Sequence, residues 1–467
     1  MANTESPTAD MQRNQHCESI TQIKPSLVII GNGMATGRLL DEIIKRSPNK
    51  YQITVIGKEH FGSYNRIMLS AVLAGDATID SIMQKPPAWY KQHNINFLSG
   101  SEVTYIDKEI KLVKLASEVQ VHYDELIIAT GSRTAKIPAK NQNIAGIFNF
   151  RDIADTEKIQ AFAQQAGSSA KQAIVIGGGL LGLEAAYGLA ISGVEVTLVH
   201  RNKWLLNRQL DKISANMLQS IMAQKNIKFA LGHEVAAFES IIEPNAEIKS
   251  EGHSKESLEE SLEVNSENSS EILSGVTLTS GEFISAQMAV IATGITPNKE
   301  LAETANIDFN RAILVNDYMQ TSDAAISALG ECCEHKQATF GLVDPIWAQC
   351  ISLAERLCNN VQKPFQNAPV PTKLKVSGVQ LFSAGDVEVS EGSQCFTLLD
   401  NKALIYRKIM VKNGKISGIV LFGDVSSGMA YFDLMQQEVI VNTMMPELLM
   451  GDEFITTIED EQKVSIA

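Results

Sequence analysis

No run of this chain approaches the roughly 18 apolar residues that span a bilayer. No basic segment followed by an apolar one opens it. Neither a membrane span nor a secretory leader is expected, and the composition suits a cytoplasmic protein with reduced thiols. Cysteine is sparse. Cys17, Cys332, Cys333, Cys350, Cys358 and Cys395 show no C-x-x-C or zinc-finger spacing. None lies between Cys17 and Cys332. Adjacent Cys332 and Cys333 with one His335 make a poor chelate, so no metal site is expected. Positive charge is also short: 40 Lys and Arg face 54 Asp and Glu, a net of −14. That balance argues against nucleic acid or an anionic membrane as partner.

What is present suffices for several cores. Hydrophobic residues make up 44% of 467, and the length suggests about three domains. Residues 1–24 are polar and patternless and read as a disordered tail. Leu27-Val28-Ile29-Ile30 then forms a short apolar run ending at Gly31, as a buried parallel strand does. Leu39, Leu40, Ile43 and Ile44 recur at helical spacing within Met34–Arg46, and Ile53–Ile56 supplies a second strand. The same grammar returns 146 residues later. Ala173–Ile176 is a strand, Gly177–Gly182 a turn, Leu183–Ile191 a helix and Val196–Val199 a strand. The expected class is α/β, with two Rossmann-like, three-layer dinucleotide folds.

The expected division places residues 25–147 and 286–370 in the first fold and 148–285 in the second. Within the second, 243–274 is Glu/Ser/Asn-rich and reads as a disordered acidic insertion in a hairpin. Half the net charge lies there, with nine acidic and two basic residues between Ile241 and Glu271. An acidic docking segment is the functional alternative. Residues 371–467 alternate short strands with a helical end near Tyr431–Val441 and form a smaller C-terminal α+β domain.

The first glycine fingerprint is Gly31-Asn32-Gly33-Met34-Ala35-Thr36. Its first glycine permits a tight turn, and its second lets backbone approach a pyrophosphate at a helix N-terminus. Thr36 in place of the third glycine predicts wider helix–strand packing, unless Gly37 takes over that role. Glu59, 28 residues after Gly31, can accept from ribose hydroxyls. The second fingerprint, Gly177-Gly178-Gly179-Leu180-Leu181-Gly182, has all three glycines. After its second strand stand His200 and Arg201, not an acid. They either face solvent or meet a 2′-phosphate, so the choice between NADH and NADPH stays open. Ala129-Thr130-Gly131-Ser132 and Ala292-Thr293-Gly294-Ile295 each follow an apolar strand, with small residues where the chain crosses beside a cofactor. Gly330-Glu331 ends a later strand and offers a carboxylate to the ribityl hydroxyls of a flavin.

Together these residues resemble the pyridine-nucleotide flavoprotein reductases with two dinucleotide folds. Members usually carry Gly-Asp where Gly330-Glu331 stands. GNGMA, YNRIMLS, IIATGS, IGGGLLGLEAA, RQLD, ALGEC, FGLV and LKVSGVQLFSAGD are similar to the flavin module of assimilatory nitrite reductase large subunits. They are equally similar to the electron-transfer subunit of assimilatory nitrate reductase. The resemblance runs from about Leu27 to Gly451, with Thr296-Pro297 where relatives often have Arg-Pro.

The resemblance implies FAD held by Gly31, Gly33, Met34, Ala35, Glu59, Arg66, Ala129, Thr130, Gly131, Gly330 and Glu331. It implies NAD(P)H held by Gly177, Gly179, Leu180, Leu181, Gly182, Glu184, His200, Arg201, Thr293 and Gly294. Arg66 would pair with FAD phosphate or form a surface ion pair. Glu184 would orient the nicotinamide amide or stay solvated. Hydride passes to flavin N5 with no obligatory side-chain acid or base. With no cysteine beside the flavin, a redox disulfide there is excluded. The missing iron–sulfur and sirohaem cysteines point to a separate electron acceptor. That acceptor is a nitrate or nitrite reductase catalytic subunit, with a rubredoxin, a ferredoxin or oxygen as rivals. A flavin-bound structural or signalling protein with slow turnover is the other class. The C-terminal domain packs over the flavin face or forms a homodimer interface.

Overall fold

A computed structural model describes residues 24–165, 172–243, 270–376, 378–441 and 447–451. Two five-stranded parallel sheets organise it. The first has the order Ile326–Ala328, Glu125–Ile128, Ser26–Ile30, Gln52–Ile56, Asn96–Leu98. The second has the order Ile147–Asn149, Met288–Ile291, Gln172–Ile176, Glu195–His200, Ile227–Leu231. Both central strands are buried on both faces, which is why they read as unbroken apolar runs. Leu27, Val28 and Ile29 are fully buried, as are Ile174 and Val175.

Three expected boundaries change. Met288–Ile291 pairs with Gln172–Ile176 and so sits in the second sheet, not with residues 286–370 in the first. Its apolar side chains complete that sheet before the chain crosses back. The second fingerprint helix starts at Leu180 rather than Leu183, because Gly179 already serves as its N-cap. The expected insertion 243–274 is too wide. Glu243 and Ser270–Ser274 belong to a hairpin of Val235–Glu243 and Ser270–Leu278, paired Glu243 to Ser270. Leu273 is 2% exposed there and anchors the second strand. Residues 244–269 and most of the expected N-terminal tail lie outside the described residues.

Two short strands connect the folds. Ser132–Thr134 and Ile295–Pro297 run antiparallel as a two-stranded ladder. Arg133 lies opposite Thr296 and pairs with Glu300 at 2.5 Å. An arginine at 296 would put two cations opposite each other, which is unfavourable across a ladder. A helix pair also bridges the folds. Leu69–Ala74 packs on Leu180–Ile191, and Gly188 lets them close: a Cβ there would lie 3.3 Å from the Ala74 backbone.

The C-terminal domain is an antiparallel sheet in the order Thr372–Val376, Val379–Gly385, Lys415–Phe422, Ile405–Lys412, Ser393–Asp400. Gly428–Gln436 is its helix. The sheet docks on the second dinucleotide fold. Leu381, Tyr406, Val420 and Phe422 join one core with Leu183, Leu210 and Leu218. A buried polar cluster reinforces the joint. Asp211 caps the Lys212–Ala223 helix through the Ser214 amide, and its other oxygen accepts from Lys408 Nζ at 3.0 Å and Tyr406 OH at 2.6 Å. Burial opposes ionisation of Asp211, but bonds from Tyr406, Ser214 and Lys408 outweigh it and hold the carboxyl below its ordinary range.

Removing one partner of such a pair leaves the other charge buried. Lys408→Met is expected to cost about 3 kcal/mol in urea denaturation. The double variant Asp211→Asn, Lys408→Met should cost less than Lys408→Met alone, because the asparagine still caps and no charge is stranded. A double variant weaker than the single would disprove the stranded-charge account.

Candidate functional site

The two fingerprint turns are built alike. Gly31 has φ +102° and Gly177 φ +124°, a left-handed region that favours glycine. A Cβ at Gly31 would lie 2.2 Å from the Ala129 carbonyl oxygen, and at Gly177 2.3 Å from that of Ala292. Each turn therefore packs on the Ala-Thr-Gly motif of its own fold. Gly33 and Gly179 differ from them: a Cβ at either meets no protein atom within 4 Å. Both face an open crevice at the C-terminal ends of the strands.

The helices that start there, Met34–Arg46 and Leu180–Ile191, have no side-chain cap and no acidic residue in the first turn. Their first N–H groups and positive ends stay available to an anion. The Lys212–Ala223 helix, by contrast, is capped by Asp211. Met34, Ala35, Leu180 and Leu181 form those two open first turns.

The third fingerprint position separates the two turns. A Cβ at Gly182 would sit 1.9 Å from the Gly177 oxygen, so helix and strand touch. Thr36 has a Cβ in the matching place, and its hydroxyl donates to the Gly31 oxygen at 2.7 Å. The first helix stands off by the room a threonine needs. Gly37 does not take over the role; it packs toward Ser63 Oγ instead.

Around the first crevice the expected carboxylates are already engaged. Glu59 accepts from Arg66 at 2.6 Å and from Tyr64 OH at 2.7 Å. Arg66, half-buried in its pair with Glu59, also donates to the Arg151 carbonyl at 2.7 Å. Two of its five donors are used. Glu331 accepts from Ser132 Oγ at 2.6 Å and from Arg151. Gly131, φ +65°, opens toward the same Glu331 oxygen. Thr130 exchanges hydrogen bonds with Asn298, and Thr293 donates to the Ala135 carbonyl, so each Ala-Thr-Gly motif is fastened to the opposite crossing strand.

Three supporting residues carry no signal in spacing or composition. Arg151 fixes Glu331. Fully buried Gln349 accepts from the Gly330 amide at 2.8 Å. Tyr90 donates to Asn32 Oδ1 at 2.7 Å, which leaves the buried Asn32 amide nitrogen without a partner at the first turn. An open cradle at Gly33, an uncapped helix and an unpaired buried donor fit a dinucleotide cofactor.

In the second crevice His200 does not face solvent. It is 9% exposed, whereas Arg201 is exposed. Glu184 lies on the bridging helix pair. Burial pushes its carboxyl up to about 7, partly offset by a hydrogen bond from Ser70. A raised carboxyl favours the folded state while protonated, so this contribution is present below about pH 4.5 and lost as pH rises through about 7. Glu184→Gln should therefore melt higher than the parent apoprotein at pH 8 and match it at pH 4.5. An equal difference at both pH values would refute it.

The thiols are placed for packing. Cys332 and Cys333 are fully buried, directed at backbone carbonyls, and burial pushes both up. His335 bonds to Asp317 at 2.7 Å. Among the described residues no helix is long and apolar enough to cross a membrane.

Two segments of the chain match known families. Residues 25–349 match the pyridine nucleotide-disulphide oxidoreductases, and 369–439 the rubredoxin NAD+ reductase C-terminal domain. The chain belongs to the pyridine nucleotide-disulphide oxidoreductase family.

Nitrite reductase [NAD(P)H] of Bacillus subtilis (strain 168) is 38% identical over 415 residues, 89% of this chain and 48% of that protein. The assimilatory nitrate reductase electron transfer subunit of the same organism is 33% identical over 86% of this chain and 48% of its own length. The chain thus spans about half the length of these relatives. Among solved structures, NADH:rubredoxin oxidoreductase from Clostridium acetobutylicum superposes with a TM-score of 0.69 at 26% identity, covering 89% of this chain and 96% of that one.

Proposed function

We propose that this protein takes hydride from NAD(P)H at the second fingerprint and passes electrons through FAD at the first to a separate metal-centre acceptor. The acceptor is the catalytic component of an assimilatory nitrate or nitrite reductase, and the setting is the cytoplasm. The observation that carries the assignment is the 38% identity to a nitrite reductase [NAD(P)H] over 89% of the chain.

The residues divide the work. Gly33 and the open first turn of Met34–Arg46 receive the FAD pyrophosphate, and Glu59 receives a ribose. Glu331, fixed by Arg151 and Ser132, receives the ribityl hydroxyls. Gly179 and the open first turn of Leu180–Ile191 receive the coenzyme, and Glu184 orients the nicotinamide amide. Bound FAD supplies a centre that accepts hydride and can release electrons singly. The protein contributes placement, holding donor and acceptor about 3–3.5 Å apart. No cysteine between residues 18 and 331 is present to relay electrons as a dithiol.

Reconstitution tests this. The purified holoprotein with NADH or NADPH should support turnover by nitrate or nitrite reductase catalytic components. Rapid rubredoxin reduction with no support of either nitrogen enzyme would overturn it. It would favour the second reading, a rubredoxin reductase, which the match of residues 369–439 supports.

A further inference from the structure

One side chain of the second fold reaches into the first. Arg151 lies between the Ile147–Asn149 strand and the Ile153–Gln165 helix. That strand pairs with Met288–Ile291 in the second sheet, and Ile153 and Ile159 share a core with Leu183 and Val196. The Arg151 N–H donates to Asp155 Oδ2 at 2.9 Å, which fastens its backbone to the same helix. Its guanidinium leaves that fold. It donates to Glu331, to Ser132 Oγ at 2.8 Å and, through Nε, to the Ser132 carbonyl at 3.4 Å. Both side chains of the ion pair are 19% exposed, so water screens it little.

Two ties run from this residue to the first crevice. Ser132 and Arg151 both bond Oε2 of Glu331, and neither bond falls on Oε1. One carboxylate oxygen is thus gripped, and the other is left to accept from a ligand hydroxyl. The second tie uses the backbone. Arg66 donates to the Arg151 carbonyl at 2.7 Å and to Glu59 at 2.6 Å. Two carboxylates distant in sequence are therefore held by one residue of the other fold, Glu331 directly and Glu59 through Arg66.

We propose that Arg151 is a positioning residue that makes flavin retention and the alignment of the two folds depend on each other. This rests on the first crevice being the flavin site. The role needs no contact between Arg151 and the flavin. A plain ion pair between the folds would add a little stability and nothing more.

Two effects set the role apart. Without the guanidinium, Glu331 keeps only the Ser132 bond. Its presented oxygen is no longer fixed in advance, so FAD binds more weakly. The second fold also loses a tie beside the first crevice and brings its coenzyme up out of line. A misplacement of about 1 Å costs about a hundredfold in rate. Coenzyme affinity is set inside the second crevice and stays as it was.

The test combines FAD titration of the apoprotein with stopped-flow reduction of the FAD-loaded protein. Arg151→Met should weaken FAD about tenfold and slow flavin reduction at saturating NADH or NADPH about tenfold or more. Tetrahydro analogues of NADH and NADPH, which cannot give hydride, should bind the FAD-loaded variant within about twofold of the parent. Arg151→Lys keeps a donor for Glu331 and should recover part of both losses. Placed on Glu331→Gln, Arg151→Met should weaken FAD by less than about threefold further, because the shared contact is already gone. Should Arg151→Met fail to fold, Ser132→Ala removes one arm of the fork and should show both losses at about threefold. Full additivity of the two substitutions, a lowered melting point with FAD affinity and reduction rate unchanged, or a loss of analogue affinity equal to the loss of rate would each overturn the proposal. If the parent apoprotein takes up no FAD, or Gly33→Val takes it up normally, the flavin-site assignment itself fails.

Discussion

Gly33→Val gives a folded protein without flavin. The expected result is a purified chain that elutes and melts like parent apoprotein, shows no visible flavin absorbance, and binds added FAD at least about a hundredfold more weakly. Selectivity comes from the geometry. Nothing of the protein lies within 4 Å of the new Cβ, so the valine fills only the crevice. The neighbouring glycine is the control. At Gly31 a Cβ would meet the Ala129 oxygen at 2.2 Å in a left-handed backbone, so Gly31→Ala should lower stability itself. Should Gly33→Val stay yellow, the first fingerprint does not hold FAD.

Gly179→Val is the matching experiment in the second fold and should give the opposite phenotype. Its Cβ also meets open space. The protein should stay yellow and fold normally, yet bind the tetrahydro coenzyme analogues about a hundredfold more weakly. NAD(P)H should then bleach the flavin slowly, while dithionite bleaches it at the parent rate. Equal loss with both reductants would place the defect at the flavin and sink the assignment of the second turn. The two variants together separate a tightly held group from a visiting one.

Much of this was legible in the chain. Strand, glycine turn and helix recur twice because each must bury a strand on both faces and open a turn to a ligand. Those demands leave a periodic trace at Leu27–Arg46 and again at Ala173–Ile191. The substitution at Thr36 announced wider packing, and the hydroxyl bond to Gly31 is how the width is filled.

Partners distant in sequence left no such trace. Arg151 reaches Glu331 across 180 residues, and Tyr406 reaches Asp211 across 195. Nothing local distinguishes those side chains from exposed ones. His200 was visible as a residue out of pattern. Its tautomer was not, because a hydrogen bond to Gly178 decides it. Met288–Ile291 shows the same limit, since an apolar run does not reveal which sheet it joins.

The ladder between Ser132–Thr134 and Ile295–Pro297 bears on movement. A lone connecting segment would let one lobe swivel about several axes. Two strands zipped together behave as a strap, compliant to flexing across its thin dimension and stiff to shear and twist. Shear and twist of the second dinucleotide fold against the first are resisted by this ladder together with the helix pair at Gly188.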